Sequence, residues 1–94
     1  MEDELKELLG QTIRVRARVG KKSSNGNIIL ENLIINDTIR SDHQWVKSSR
    51  RFINIINGDW IKFTADVVEY DGLDERGNVV KKQGLHRIRN LRRI

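Results

Sequence analysis

From Thr12 onward the chain alternates. Ile13, Val15, Ala17 and Val19 are apolar, while Arg14, Arg16 and Arg18 between them are charged, the period of two that a half-buried strand requires. Gly20 to Asn27 (GKKSSNGN) follows, and its Asn25-Gly26 dipeptide tolerates positive φ and predicts a tight reversal. Ile28 to Ile35 is dense in isoleucine and leucine, but the alternation breaks at Glu31 and Asn32, so a bulged second strand is expected. Asn36-Asp37 predicts the next turn, and Thr38 to Val46 (TIRSDHQWV) a third strand antiparallel to the second.

The period then changes. Phe52, Ile55 and Ile56 fall at i, i+3 and i+4 behind Ser48 or Ser49 as a cap and ahead of Asn57-Gly58 as a stop, predicting a short helix of about two turns. Alternation resumes over Trp60 to Tyr70, with Ile61, Phe63, Ala65 and Val67 on one face and Trp60, Lys62, Thr64 and Asp66 on the other. Asp71 to Gly84 (DGLDERGNVVKKQG), rich in glycine and charge, reads as a long, mobile hairpin loop that can extend the flanking strands outward. Leu85 to Ile94 predicts a fifth strand, in which Ile88 cannot share a face with Leu91 unless a bulge intervenes. Ahead of all this, Glu2 to Leu9 spaces Leu5, Leu8 and Leu9 as one or two helical turns that Gly10 stops, a lid or plug.

The order β-β-β-α-β-β is that of the OB fold, a mostly β, five-stranded Greek-key barrel plugged by a short helix between strands 3 and 4. Closure also answers an energetic problem, because an open sheet of this size leaves long edges and many apolar residues wet. An SH3-like barrel competes, but it has no obligatory helix before its fourth strand. With 94 residues the chain holds one such domain, expected over 10–94, behind an acidic helical segment over 1–9.

Charge sharpens the picture. Lysine and arginine number 18 against 13 acids, but residues 1–9 carry Glu2, Asp3, Glu4 and Glu7 against Lys6 alone, so the remainder is more basic than the net +5 suggests. Such a domain attracts phosphate or acidic proteins. The absence of cysteine excludes disulfides, thiolate metal sites and a cysteine nucleophile. The acidic N-terminus lacks the look of a secretory signal and no run is long and apolar enough to span a bilayer, so a soluble cytoplasmic protein is expected.

Three stretches carry a resemblance: DHQWV at Asp42 to Val46, GDWIKFTADVVEY at Gly58 to Tyr70, and GLHRIRNLRRI at Gly84 to Ile94. Over roughly residues 10–94 the chain resembles small OB-fold proteins of bacterial phages and mobile elements, with Gly58-Asp59 leading into an aromatic and an alternating run as the most specific piece. That piece resembles nucleic-acid-binding OB folds in general, which implies a binding module by analogy.

The candidate chemistry agrees. Arg14, Arg16 and Arg18 on one strand face lie roughly 7 Å apart, a spacing suited to tracking a phosphate backbone, and Lys21, Lys22, Lys81 and Lys82 on the loops extend the track. The competing reading is that these arginines solubilise the face and pair with Glu31, Asp66 or Glu69. Phe63 and Phe52 are expected inside, whereas Trp60 and Tyr70 fall on the outward parity beside Lys62, and Trp45 has no assignable face; bases stack on exposed rings, and rim packing competes. Arg87 and Arg89 in HRIRNLRRI pair with phosphates or an acidic partner, or keep an edge strand from aggregating.

Asp42-His43 and the distant His86 show no metal or catalytic spacing, and no serine sits in a nucleophile elbow, so no cofactor and no enzyme is expected. The expectation is a non-catalytic module binding single-stranded DNA or RNA with little sequence preference. The alternative is a phage or mobile-element interaction module whose basic barrel grips an acidic protein. The acidic N-terminal segment fits either reading, as a removable guard over the basic face or as itself the contact.

Overall fold

The computed structural model describes residues 4–94. A single helical turn, α1 (Glu4–Glu7), precedes β1 (Thr12–Lys22), β2 (Asn27–Ile35) and β3 (Ile39–Lys47); a three-residue 3₁₀ turn (Arg50–Phe52) then leads to β4 (Trp60–Leu73) and β5 (Val79–Arg93). The two early reversals form where the polar dipeptides predict them. Gly26 has φ 86°, and Asn36 and Asp37 both take left-handed φ, 50° and 69°, as a tight hairpin turn requires. The Asn36 side-chain oxygen also accepts from the Arg14 N–H at 3.0 Å, tying this turn to β1.

The five strands form one antiparallel sheet in the order β3-β2-β1-β4-β5. Its inner face is the core: Ile13, Val15, Ala17 and Val19 of β1 meet Ile61, Phe63, Ala65 and Val67 of β4 there, all buried, as their alternation predicts. The β1–β4 ladder runs on upstream of β1, where the Gly10 N–H donates to the Val67 carbonyl and the Val67 N–H to the Gln11 carbonyl, each at 2.9 Å. The expected barrel closure is not made. No backbone ladder joins β3 to β5; where the two approach, the Gln44 side-chain amide donates to the Gln83 carbonyl at 3.3 Å. Here α1 packs against both strands, with Leu5 and Leu8 buried in the core. Leu5 and Leu8 are the residues that plug, and lifting the segment away as a guard would have to withdraw both; residues 1–3 of the acidic segment lie outside the described residues.

Two expectations are corrected. The two-turn helix before β4 is only the 3₁₀ turn, closed by i→i+3 bonds from the Phe52, Ile53 and Ile55 N–H groups and capped by the Ser49 hydroxyl, which accepts from the Arg51 N–H at 3.4 Å. Three isoleucines and an asparagine follow Phe52, all mediocre helix formers. The Asp59 carboxylate also takes the Ile56 N–H at 3.0 Å, removing a donor that a longer helix would need. Phe52 and Ile55 are buried all the same, which is the pattern that mimics helical spacing. The second correction concerns Asp71 to Gly84, which is mostly strand. β4 and β5 pair out to Leu73 and Val79, and a short turn is gathered by the Asp74 carboxylate, which accepts from the Arg76 and Asn78 N–H groups at 2.9 and 2.8 Å. These hydrogen bonds, led by that from Asn78, hold the Asp74 carboxyl below its ordinary range.

Bulges fall where alternation fails. In β2 the register shifts beside Asn32, at φ 52°. In β5 it shifts twice, with Arg87 at φ 54° and Asn90 at φ 56°. The result is a period of three over LHR-IRN-LRR: Leu85, Ile88 and Leu91 all pack against the core, while His86, Arg89 and Arg92 stand opposite Asp66, Thr64 and Lys62.

Candidate nucleic-acid interface

The outer face of the sheet is built around β1, whose inward residues fix Arg14, Arg16 and Arg18 outward. Two of these arginines are engaged. Arg14 meets the Asp37 carboxylate at 3.1 Å, and Arg18 meets that of Glu31 at 3.1 Å, pairs of the kind expected for a solubilised face. Arg16, between them, has no carboxylate partner among the described residues.

Arg16 belongs instead to a row that crosses the sheet. Lys62 of β4 is its direct cross-strand partner, Arg92 of β5 is the partner of Lys62, and on the other side Ile34 of β2 separates Arg16 from Arg40 of β3. Neighbouring strands lie about 4.8 Å apart, so Arg16, Lys62 and Arg92 form a compact line of three positive charges. None of the four cations in the row has an ion pair among the described residues. Arg16, Lys62 and Arg92 line a surface groove of about 310 Å³, together with Arg14, Thr64, Asn90 and one acid, Asp37, which Arg14 pairs; Arg40 lies outside it. Like charges set directly opposite one another oppose folding, so an anion in this groove would relieve a repulsion already present.

The other sequence candidates are distributed around this groove and away from it. Trp60 stands opposite Arg18 and two residues from Lys62 on the same face, 43% exposed, so one ring flanks the cationic row. Trp45, 47% exposed, pairs with Ile29 at the β3 side of the sheet. Tyr70 lies on the projecting β4–β5 ribbon opposite Lys82. In that ribbon the Tyr70 ring covers Gly84, the Lys82 stem covers Gly72, and Lys81 pairs with Asp71. Lys21 and Lys22 are exposed at the end of β1. The three exposed aromatics therefore do not form one platform.

Arg87 and Arg89 converge on Asp66. The Thr12 hydroxyl donates to the Asp66 Oδ1 at 2.7 Å, Arg89 Nη2 approaches the same oxygen at 3.2 Å, and Arg87 Nη1 lies 3.9 Å from Oδ2. The Thr12 hydrogen bond first, and then Arg89, hold this carboxyl below its ordinary value. Asp66 thus neutralises part of the charge that the arginine-rich last strand carries. His43 is exposed opposite Glu31, and His86 stands opposite Asp66; no group of three metal-ligating side chains converges among the described residues.

Arg92 and Asn90 on the rim, and Arg40 in the row beyond it, are the residues that the sequence pattern does not single out. Counting two by two from the Asp66–His86 pair puts Asn90 opposite Lys62, and only the two bulges bring Arg92 there. The available signal was the triplet spacing of Leu85, Ile88 and Leu91. No family model matches this sequence, and comparison with curated proteins and with solved structures gives no match.

Proposed function

We propose that this chain is a non-catalytic, OB-like module that binds single-stranded DNA or RNA through phosphates, of the kind its resemblance to small phage and mobile-element proteins implies. One observation carries the reading: Arg16, Lys62 and Arg92 line a groove and have no carboxylate partner among the described residues, while the neighbouring Arg14 and Arg18 on the same face are paired. Trp60 beside the groove offers a ring for one base, and the lack of a larger aromatic platform supports binding led by the backbone, with little base preference.

The test is a titration with a labelled single strand of roughly 15 to 20 nucleotides and with its duplex, following anisotropy and tryptophan fluorescence at several salt concentrations. Single-strand preference with quenching is expected. Each phosphate neutralised contributes about −0.7 to the slope of log affinity against log salt, so Arg16→Ala with Lys62→Ala should make the slope shallower by about 1.4. An unchanged slope removes this face from the reading. No binding at low salt transfers the basic face to an acidic protein partner, the alternative that its charge equally suits.

A further inference from the structure

A second cleft opens between the end of β3, the 3₁₀ turn and β5. Its volume is about 340 Å³, and Lys47, Ser48, Ser49, Arg51, His86 and Arg87 line it. The polar lining is all cation, hydroxyl or imidazole, and no carboxylate lines it among the described residues. Lys47 and Arg51 have no ion pair among the described residues, and Arg87 has only the loose 3.9 Å approach to Asp66. Arg87 is the telling member. It occupies the left-handed position of a bulge, φ 54°, which glycine or asparagine fills at lower cost.

The cleft and the groove flank the same strand. Arg87 lies three residues before Asn90 and five before Arg92 along β5, a separation of roughly 10 to 16 Å at about 3.3 Å per residue. We propose that this cleft is a second phosphate site, holding a phosphodiester of the same strand that occupies the groove, so that the ligand crosses β5 at its bulges. Lys47, Arg51 and Arg87 supply charge, and the Ser48 and Ser49 hydroxyls supply neutral donors. The site rests on the nucleic-acid reading of the groove and lengthens its footprint across β5.

The experiment repeats the salt titration with three variants on the full chain. Lys47→Ala with Arg51→Ala should make the slope shallower by about 1.4, whereas Lys6→Ala with Arg76→Ala, a charge-matched control on exposed positions elsewhere, should leave it unchanged. Arg87→Gly separates binding from folding: glycine suits the bulge, so thermal stability should hold while the slope loses about 0.7. If the wild-type protein binds the strand but the Lys47/Arg51 variant keeps its slope, the second site is wrong and the groove reading stands. If the wild type binds no strand at low salt, both fall together. Inorganic phosphate at constant ionic strength distinguishes a free ion from the strand; displacement of the strand at millimolar phosphate, lost in the Lys47/Arg51 variant, would make the cleft a free-phosphate site and overturn the proposal.

Discussion

Replacing Lys62 by glutamate should make this protein more stable and a poorer binder at once. Lys62 sits between Arg16 and Arg92, each its direct cross-strand partner, so a carboxylate there turns two like-charge contacts into two opposite-charge ones. Such pairs are worth roughly 0.2 to 1 kcal/mol each, and exposure keeps them toward the low end, so the total gain is about 1 kcal/mol. For a domain of this size that raises the melting temperature by roughly 4 to 8 °C. Lys62→Met, which removes the charge and keeps the apolar stem, should give about half the gain. The assay is a circular-dichroism melt at low salt and again near 1 M, where the Debye length shrinks to about 3 Å and most of the gain should vanish. Binding of the labelled single strand should meanwhile weaken, because an anion now faces the phosphates. A melting temperature at or below that of wild type at low salt, with Lys62→Met unchanged, would show that the three cations do not repel, and the groove would lose its distinguishing feature. A residue that costs stability where it stands and is needed for ligand is the signature of a site under functional demand.

Two further outcomes follow from the core and from Asp66. Phe52→Ala should cost about 3 to 5 kcal/mol and Leu5→Ala about 2 to 5, both being 1% exposed, whereas Ile53→Ala, at 77% exposure on the same 3₁₀ turn, should fall within roughly 0.5 kcal/mol; urea midpoints at constant m-value decide it. The Asp66 carboxyl titrates lower in the folded chain than in the unfolded one, so its stabilising effect is present above the ordinary value of 3.8 and is lost as pH falls through the lower folded value. Asp66→Asn should therefore lower stability at neutral pH and flatten the decline below about pH 4, read from melting temperature against pH.

The strands legible from sequence are those with a wet face and a dry one. In β1 and β4 each inward residue has an outward polar neighbour, so the period of two is written plainly over Ile13–Val19 and Ile61–Val67. β5 obeys a different count. Two bulges stretch its inward spacing to three, so any reading by twos assigns Arg92 to the wrong row, although the conflict between Ile88 and Leu91 already announced a bulge. The ribbon between Asp71 and Gly84 looked like loop because it is exposed over most of its length: only Gln83 and Gly84 at its base are buried, so its two strands have no apolar alternation to show. The supposed helix failed for the opposite reason. Phe52 and Ile55 do enter the core, but a 3₁₀ turn and extended chain deliver them as well as a helix would. Of the site, Arg16 and Lys62 were readable, whereas their having no ion pair among the described residues depends on Asp37 and Glu31 choosing Arg14 and Arg18, a matter of turn geometry and register.

The strand order also governs how the protein assembles in time. β1, β2 and β3 are joined by short turns, and β4 and β5 by another, so each group can form from contacts between near neighbours in the chain. Joining the groups means pairing β1 with β4, where Thr12 meets Asp66 across 54 positions of sequence. That closure carries the largest entropic cost of the topology and belongs late on the folding route. The Arg16–Lys62 pair lies on this joint, so neither half of a partly folded or nascent chain contains the groove. A ligand seated there bridges the two halves and slows their separation, which makes occupancy a brake on unfolding as well as a measure of recognition.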